Sequence, residues 1–510
     1  MDRADTTAVQ LTLAYAALAT LLWGLSGYLD HDEHQFMASA YMVATNGVHP
    51  YKDFAYFHMP NLAYLYSLCF LTPYPFPLAR LFVALCSFGI SLIVLFYARS
   101  LLTHHSRVIG VIAPVCLTLL LAHSFLFRMA SSHVWNHATP TLCAVISFIL
   151  HRQGLLNAER GALFFWSGAS MGMAVGIRLT FVPLIVPFLL AILLFSVHAG
   201  KGLTALTFLL GILAANLPAI VFLVISPQEF WFGNLGYPSL NTLYRGATGY
   251  SDAMTLPGKF RFLLTEILER PTEVLILLVA ISGVILLALE RIRHRERFPF
   301  DVVFVLLCLP FAAVGALAPT PSWVQYYFVI IPFLVLLAVQ ALSALRTVAF
   351  SEALVTVLAV AAIMSFVYGS PLMRGATFRA LTKPQLLTAF EVQRQAQEIR
   401  RYIESAARNE GEILTLSPLY AILSGLPIYE EFVSGPFGWR VSRLVSETEA
   451  TDRGLPPAGI SSFVQARRPR AILTGQDEVE LEKPITVSAQ ALGYQPLTMP
   501  SGVVVWLRRD

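Results

Sequence analysis

Long apolar stretches separated by short polar connections fill the first 369 residues of the chain. A helix needs about 20 apolar residues to cross a bilayer, and most of these stretches approach that length. Candidate spans cover residues 9–28, 80–98, 108–127, 137–150, 162–177, 179–197, 203–225, 273–289, 302–318, 326–345 and 352–369. The continuous stretch 162–197 is too long for one crossing and suits two short helices that meet near residue 178. The pattern therefore predicts an all-α polytopic membrane bundle of about 11 transmembrane helices.

The basic residues of the short connections set the predicted orientation. With a cytoplasmic N-terminus, and with the short apolar piece 61–72 not crossing the bilayer, most of them fall on the cytoplasmic side, as the positive-inside rule requires. These residues are Arg99, Arg107, Arg152, Arg160, Lys201, Arg291, Arg293, Arg295, Arg297 and Arg346. We therefore expect 61–72 to be a re-entrant or interfacial helix. Segments 29–79, 128–136, 227–272 and 370–510 are then predicted to lie outside.

Residues 370–510 are polar, and their apolar positions are dispersed among charged ones. The pattern predicts a helix at 385–407 and strands at 413–416, 470–474 and 503–507. We interpret this tail as a C-terminal periplasmic α/β domain.

The transmembrane domain, 1–369, has two large outer loops, 29–79 and 227–272. In the first of them, apolar residues recur at helical spacing over 33–45, which predicts a helix that lies along the membrane interface. Asn46-Gly47 should end this helix.

Composition agrees with a membrane protein. Hydrophobic residues make up 56% of the chain and charged residues 13%, against about 25% charged in soluble domains. The net charge of +4 gives no reason to expect a nucleic-acid partner. The five cysteines lie in apolar segments without a CxxC pair, so we expect no disulfide. The apolar run 9–28 is longer than a signal-peptide core and is expected to be retained as the first span.

Titratable side chains concentrate just after the first span, at Asp30, His31, Asp32, Glu33 and His34. Almost none is predicted in the middle of a span, where transporters usually place theirs. Chemistry is therefore expected at the outer membrane face.

Several motifs carry a resemblance to a known family. Asp32-Glu33 follows the first span, and it is followed by Pro50-Tyr-Lys-Asp-Phe54 and Tyr56-Phe-His-Met-Pro60. Gln325-Tyr-Tyr-Phe328 opens a late span, and Ile413-Leu-Thr-Leu-Ser-Pro418 precedes Ser424-Gly-Leu-Pro-Ile-Tyr429 in the tail. In these features the chain resembles GT-C membrane glycosyltransferases, such as bacterial lipid A aminoarabinose and galacturonic acid transferases and the protein O-mannosyltransferases.

The resemblance implies transfer of a hexosyl or pentosyl group from a polyprenyl-phosphate donor to an acceptor hydroxyl, usually with inversion. The expected location is the outer face of the bacterial inner membrane, and the acceptor is an envelope glycan, a lipid such as lipopolysaccharide, or a protein. Position in the motif makes Asp32 the general base, with Glu33 beside it, because a carboxylate can accept the proton of the attacking hydroxyl. Alternatively, Asp32 is the N-cap of the following helix, and Asp30 is a rival for the base.

The same resemblance suggests substrate-binding residues. His58 falls in the segment that contacts phosphate, although aminoarabinose-transferase relatives carry Glu-Lys-Pro where this chain has His58-Met-Pro. Tyr51, Asp53 and Tyr56 either shape the sugar pocket or form a rigid turn with aromatic anchors.

Further candidates lie in the later outer segments. Arg128 could meet phosphate, and Asn136 and His137 could hydrogen-bond the sugar. Arg178 is costly to bury without an anionic partner, so it meets either a phosphate or an outer-loop acid. Arg245 lies in a glycine-bearing loop that either closes over the donor or is a plain connector.

We expect no essential cofactor. His31, His34 and His58 lie near acids, a combination that suits zinc or manganese, but they lack a familiar ligand spacing, so a divalent metal is only the alternative. The main alternative function is a transporter or flippase for a lipid-linked glycan. A third hypothesis is a catalytically inactive scaffold, which the presence of both Asp32 and Glu33 disfavours.

Overall fold

Helices dominate the first 369 residues. The structure, a computed structural model, describes residues 3–103, 105–157, 160–198, 200–250, 254–373, 382–407 and 410–508. The helices of this part are α1 (Arg3–Ser26), α2 (His31–Tyr41), α3 (Asn61–Ser67), α4 (Pro75–Leu102), α5 (Arg107–His123), α6 (Phe125–Ser132), α7 (Ala138–Leu156), α8 (Ala162–Ile177), α9 (Ile185–Phe195), α10 (Lys201–Ala215), α11 (Leu217–Ile225), α12 (Pro227–Trp231), α13 (Tyr237–Ala247), α14 (Leu256–Leu268), α15 (Pro271–His294), α16 (Phe300–Leu317), α17 (Ile330–Ala344) and α18 (Val348–Gly369).

The number of helices able to cross a membrane is smaller than the sequence pattern suggested. Within the described ranges, six helices are long and apolar enough, or up to eight if the bent pairs α5–α6 and α10–α11 each count as one span. The chain is thus a multi-pass membrane protein, but eleven spans are not confirmed. Two of the predicted spans are too short, since α8 has 16 residues and α9 has 11, against the roughly 20 that a crossing needs. A third, α7, has 19 residues, but its C-terminal part carries the polar residues His151, Arg152 and Gln153.

The break near residue 178 and the short helix at 61–72, both indicated by the sequence, are present. α8 ends at Ile177, Arg178 is extended, and the 3₁₀ segment Leu179–Leu184 leads into α9. Segment 61–72 forms α3 followed by the 3₁₀ turn Leu68–Leu71, too short together to count among the candidate spans.

The tail contains six described helices and a small sheet. The helices are α19 (Thr388–Ala406), α20 (Leu419–Leu423), α21 (Pro436–Ser442), α22 (Glu447–Asp452), α23 (Ile460–Arg467) and α24 (Val479–Ala491). The strands are β1 (Ile413–Thr415), β2 (Ala471–Thr474), β3 (Tyr494–Thr498) and β4 (Val504–Arg508), in the order β1-β2-β4-β3. β1 is parallel to β2, and the other two pairings are antiparallel.

The tail helix and three of the strands agree with the sequence pattern to within a few residues. The sequence pattern did not predict β3, because four of its five residues are exposed and Pro496 interrupts the strand sequence. Proline is tolerated there because β3 is an edge strand.

The tail and the loop segment 29–79 share one hydrophobic core. Phe36 and Tyr56 of the loop pack in the same cluster as Ile399 and Leu419 of the tail. The backbone N–H of Leu419 also donates to His34 Nδ1 at 3.3 Å. Every residue of α2 from 33 to 40 is buried, because α3 and the tail pack against this helix. The placement of α2 along the membrane interface stays a prediction.

Candidate active site

The first turn of α2 is fixed by a reciprocal cap. Asp30 has extended backbone, and its Oδ1 accepts the N–H of Asp32 at 2.9 Å, while Glu33 Oε2 accepts the N–H of Asp30 at 3.1 Å. Asp30 Oδ1 also accepts the indole N–H of Trp135 at 3.0 Å. The N-cap is therefore Asp30 and not Asp32, so the alternative capping role of Asp32 is wrong. The Asp32 side chain is left free for another role.

Glu33 and Arg80 form a fully enclosed ion pair, with both side chains at 0% exposure. Arg80 Nε lies 2.9 Å from Glu33 Oε1, and Arg80 Nη2 lies 2.6 Å from Oε2. Glu33 Oε1 also accepts the N–H of Val134 at 2.7 Å. The remaining Arg80 donors reach the carbonyls of Gly27 at 2.7 Å and Tyr28 at 2.8 Å. Glu33 thus joins α2 to α4 and to the end of α6, which suits positioning better than contact with a substrate.

Sequence reasoning did not find Arg80, because it stands at the edge of an apolar stretch and was taken as part of the predicted span 80–98. A signal was present, since a cation in an apolar helix needs an acidic partner.

Asp32 keeps part of its surface open, with its side chain 26% exposed. Its Oδ1 lies 3.4 Å from His31 Nε2. Burial raises the pKa of the Asp32 carboxyl to about 6; His31, Arg440 and Arg178 oppose this rise, and Asp30 adds to it. A carboxyl group with such a pKa remains ionised at neutral pH and is a better proton acceptor than an ordinary aspartate.

Arg178 lies in the break between α8 and α9 and is held in place by several polar groups. Its Nη1 donates to Asn136 Oδ1 at 2.5 Å and lies 3.2 Å from His137 Nε2. Its Nε donates to Thr180 Oγ1 at 3.0 Å, and its guanidinium lies 4.6 Å from the ring centre of Tyr326. The structure therefore brings together Arg178, Asn136 and His137, which the sequence proposed separately, and places the Arg178 charge where it acts on Asp32.

Two further arginines approach from α13 and from the tail. Arg245 is buried, with Nη1 3.7 Å from a Glu478 carboxylate oxygen and its guanidinium 5.1 Å from the ring centre of Tyr250. Arg440 of α21 lies 3.4 Å from the same Glu478 oxygen. Tyr237 is within electrostatic reach of Asp32, Arg245 and Arg440, so the three charged groups border one region. Sequence reasoning missed Arg440, which no local pattern in the tail distinguishes from the other arginines there.

His58 lies beside this region as a neutral imidazole. Its Nδ1 is 3.4 Å from Asn136 Nδ2, and its ring centre is 4.8 Å from that of Phe36. Burial, together with the charge of Arg178, lowers the pKa of His58 to about 3. A phosphate contact at His58 would therefore be a hydrogen bond to a neutral ring, without a positive charge.

Tyr51, Asp53 and Tyr56 shape the turn beside His58. Tyr51 has a φ of +65°, donates its hydroxyl to the carbonyl of His58 and accepts from Asn234 Nδ2 at 3.2 Å. Asp53 Oδ2 accepts the backbone N–H of His49 at 2.8 Å. Tyr56 is buried, and among the described residues its hydroxyl has no hydrogen-bond partner. Tyr51 and Asp53 are thus engaged in holding the turn, as the alternative interpretation had it.

Arg128 lies in an aromatic setting between α1 and α6. Its guanidinium is 5.1 Å from the ring centres of both Trp23 and Phe125. Unlike Arg178, it is not among the main charges that shift the pKa of Asp32.

One group within the described ranges has the spacing of metal ligands. Oxygen or nitrogen atoms of Asp30, His31 and Asp32 lie within 4.8 Å of one another. Two carboxylates and an imidazole suit manganese or zinc. His34 and His58 contact other groups, at Leu419 and Asn136. The expectation that no metal is essential stays a prediction.

The chain is a multi-pass membrane protein whose fold is similar to those of solved membrane glycosyltransferases, so the resemblance seen in the sequence is confirmed at the level of the fold. ArnT from Cupriavidus metallidurans, bound to undecaprenyl phosphate, has a TM-score of 0.59 and 14% identity, over 98% of this chain and 97% of that chain. Its apo state has the same TM-score and identity, over 99% and 98%. The apo oligosaccharyltransferase of Archaeoglobus fulgidus has a TM-score of 0.51 and 12% identity, over 98% and 74%. No protein-family model and no curated protein sequence matches this chain.

Proposed function

We propose that this protein is a glycosyltransferase that moves a hexosyl or pentosyl group from a polyprenyl-phosphate-linked donor to an acceptor hydroxyl, with inversion. The observation that carries the proposal is that the three neighbouring acids Asp30, Asp32 and Glu33 have different partners. Asp30 caps α2 and Glu33 is paired with Arg80, whereas Asp32 is partly open and lies within the electrostatic influence of Arg440 and Arg178. The shared fold with ArnT, whose structure holds undecaprenyl phosphate, supports the choice of donor.

In the proposed reaction, Asp32 accepts the proton of the acceptor hydroxyl while the hydroxyl oxygen attacks the anomeric carbon of the donor sugar. The bond between that carbon and the phosphate oxygen breaks, and the electron pair leaves with the lipid phosphate. Attack opposite to the leaving group inverts the anomeric centre. Arg178 is suited to stabilise the phosphate, because guanidinium groups form strong charge-assisted hydrogen bonds with phosphate oxygens.

The site is proposed to face the periplasm, with the N-terminus in the cytoplasm and the tail outside the inner membrane. The distribution of basic residues in the short connections supports this orientation. An acceptor in this location is an envelope glycan, a lipid such as lipopolysaccharide, or a protein.

The test is a transfer assay with the full chain in liposomes, a panel of radiolabelled polyprenyl-phosphate sugars, and envelope lipid, glycan and protein fractions as acceptors. We expect label to move from at least one donor to one acceptor fraction. Label that stays on every donor while the same lipids move between the two leaflets would contradict the proposal and favour the flippase alternative. An empty-liposome control measures spontaneous movement.

The pH dependence of transfer should report on the base. Asp32 must be ionised to accept a proton, and its pKa is raised to about 6. We therefore expect the rate to rise about tenfold per pH unit below 6 and to level off above it. Single-turnover rates between pH 4.5 and 8 measure this. A rate that is already flat at pH 5 would contradict the assignment, since an ordinary aspartate is ionised there.

A further inference from the structure

Arg440 is almost fully enclosed but incompletely bonded. The residue is 3% exposed. Its Nη2 lies 3.4 Å from Glu478 Oε1 and 4.0 Å from Asp477 Oδ1, whereas its Nε and Nη1 have no hydrogen-bond partner among the described residues. Asp477 Oδ2 is buried and unpartnered as well. Buried polar groups are normally satisfied, so unpaired donors on a buried cation call for a ligand that is not part of the chain.

Two acids lie beside Arg440, and the nearer of them, Glu478, is a loose partner. The Glu478 side chain is 54% exposed and stands between Arg440, at 3.4 Å, and Arg245, at 3.7 Å. The enclosed Glu33–Arg80 ion pair of the same molecule is much tighter, with two hydrogen bonds of 2.9 and 2.6 Å. A half-exposed carboxylate that bridges two arginines is free to turn towards solvent when a stronger anion arrives.

α21 places this arginine at the border of the proposed active site. The Phe437 ring stacks on His31 with ring centres 5.6 Å apart, and the Arg440 guanidinium lies 5.4 Å from the centre of the Phe437 ring. α21 also packs against α13, which carries Arg245. The tail therefore covers the start of α2 and brings a second cation next to Arg245.

We propose that Arg440 and Arg245 together bind a phosphate group of one of the two substrates, and that Glu478 holds the place of that phosphate until it binds. Guanidinium groups match the oxygens of phosphate better than ammonium groups do, and two of them can share one phosphate. The proposal deepens the proposed glycosyl transfer and rests on it. The phosphate belongs either to the carrier lipid of the donor or to a phosphorylated acceptor such as lipid A.

The experiment measures binding and does not require turnover. The full chain in detergent is titrated with undecaprenyl phosphate and, separately, with bisphosphorylated lipid A, for wild type, Arg440→Met and the control Arg443→Met. Arg443 is the exposed C-cap of the same helix and lies over the Trp439 ring. We expect Arg440→Met to lower the affinity for one of the two lipids roughly 10- to 100-fold, the loss expected for hydrogen bonds to a charged group. Arg443→Met should bind both lipids like wild type. Weaker binding of undecaprenyl phosphate would assign the site to the donor, and weaker binding of lipid A would assign it to the acceptor.

Glu478→Gln provides a second readout if Arg440→Met does not fold, as judged by its thermal unfolding. This change removes the competing negative charge from an exposed side chain, so the affected lipid should bind several-fold more tightly. Unchanged affinity for both lipids in either folded variant would overturn the proposal. Failure of the proposed glycosyl transfer is a separate result, because it appears as the absence of transfer by wild type, with lipid binding measured independently.

Discussion

Asp32→Asn is expected to lower the rate of sugar transfer by about 10²–10⁴-fold, the usual contribution of a positioned general base. The amide cannot accept the proton of the attacking hydroxyl, whereas its size and shape preserve the packing around the start of α2. Single-turnover transfer from a radiolabelled polyprenyl-phosphate sugar, with the donor at saturation, measures the effect. Donor affinity should change little, since the base acts on the acceptor hydroxyl.

Asp30→Asn is the matched control for this prediction. Asparagine caps helices as well as aspartate does, so α2 should keep its start and transfer should stay near the wild-type rate. If Asp30→Asn were the inactive variant and Asp32→Asn the active one, the base would be Asp30.

Loss of folding cannot account for the expected inactivity of Asp32→Asn. The pKa of Asp32 is raised from 3.8 to about 6 in the folded protein, so the folded state binds the proton more tightly than the unfolded state. Ionised Asp32 therefore lowers the stability as the pH rises through this window, and the cost is fully present at pH 7. Replacing it with a neutral amide removes that cost. Thermal unfolding at pH 7 should show a midpoint no lower than that of wild type.

Glu33→Gln is expected to destabilise the protein by about 3–5 kcal/mol, the usual cost of removing one partner of a buried ion pair. The Arg80 guanidinium would keep its carbonyl contacts with Gly27 and Tyr28 but lose the only charge that balances it among its hydrogen-bond partners in the described structure. Thermal unfolding in detergent, followed by size-exclusion chromatography, measures the change. Transfer should fall together with the folded fraction, because Glu33 positions the helix that carries Asp32.

The exposed pair Arg394–Glu398, at 2.8 Å on α19, is the control for this second prediction. Glu398→Gln should cost less than about 1 kcal/mol, because exposed ion pairs are screened by water. The double variant Glu33→Gln/Arg80→Met should recover part of the loss, since it leaves no unbalanced charge. A Glu33→Gln protein that unfolds like wild type would contradict the positioning role.

The sequence predicts the apolar helices of this protein better than the arrangement of its polar site. The helical bundle, the break at Arg178 and the tail strands follow from runs and periods in neighbouring residues, which is why the sequence indicates them. The number of spans was overestimated in part because an apolar run of 16 or 11 residues forms a helix without being long enough to cross a bilayer by itself. Edge strand β3 was missed because its exposed residues and Pro496 carry no strand period.

The sequence by itself determined that the chain lies in a membrane, that its acids gather after the first helix, and that its motifs resemble those of GT-C glycosyltransferases. Only the tertiary structure decided which acid has which role. Adjacent residues on a helix point about 100° apart, so Asp30, Asp32 and Glu33 meet different surroundings: the helix start, an open region and buried Arg80. The tertiary structure likewise brought Arg440 to the site from more than 400 residues along the chain. Such long-range encounters depend on packing, which no local pattern of residues encodes.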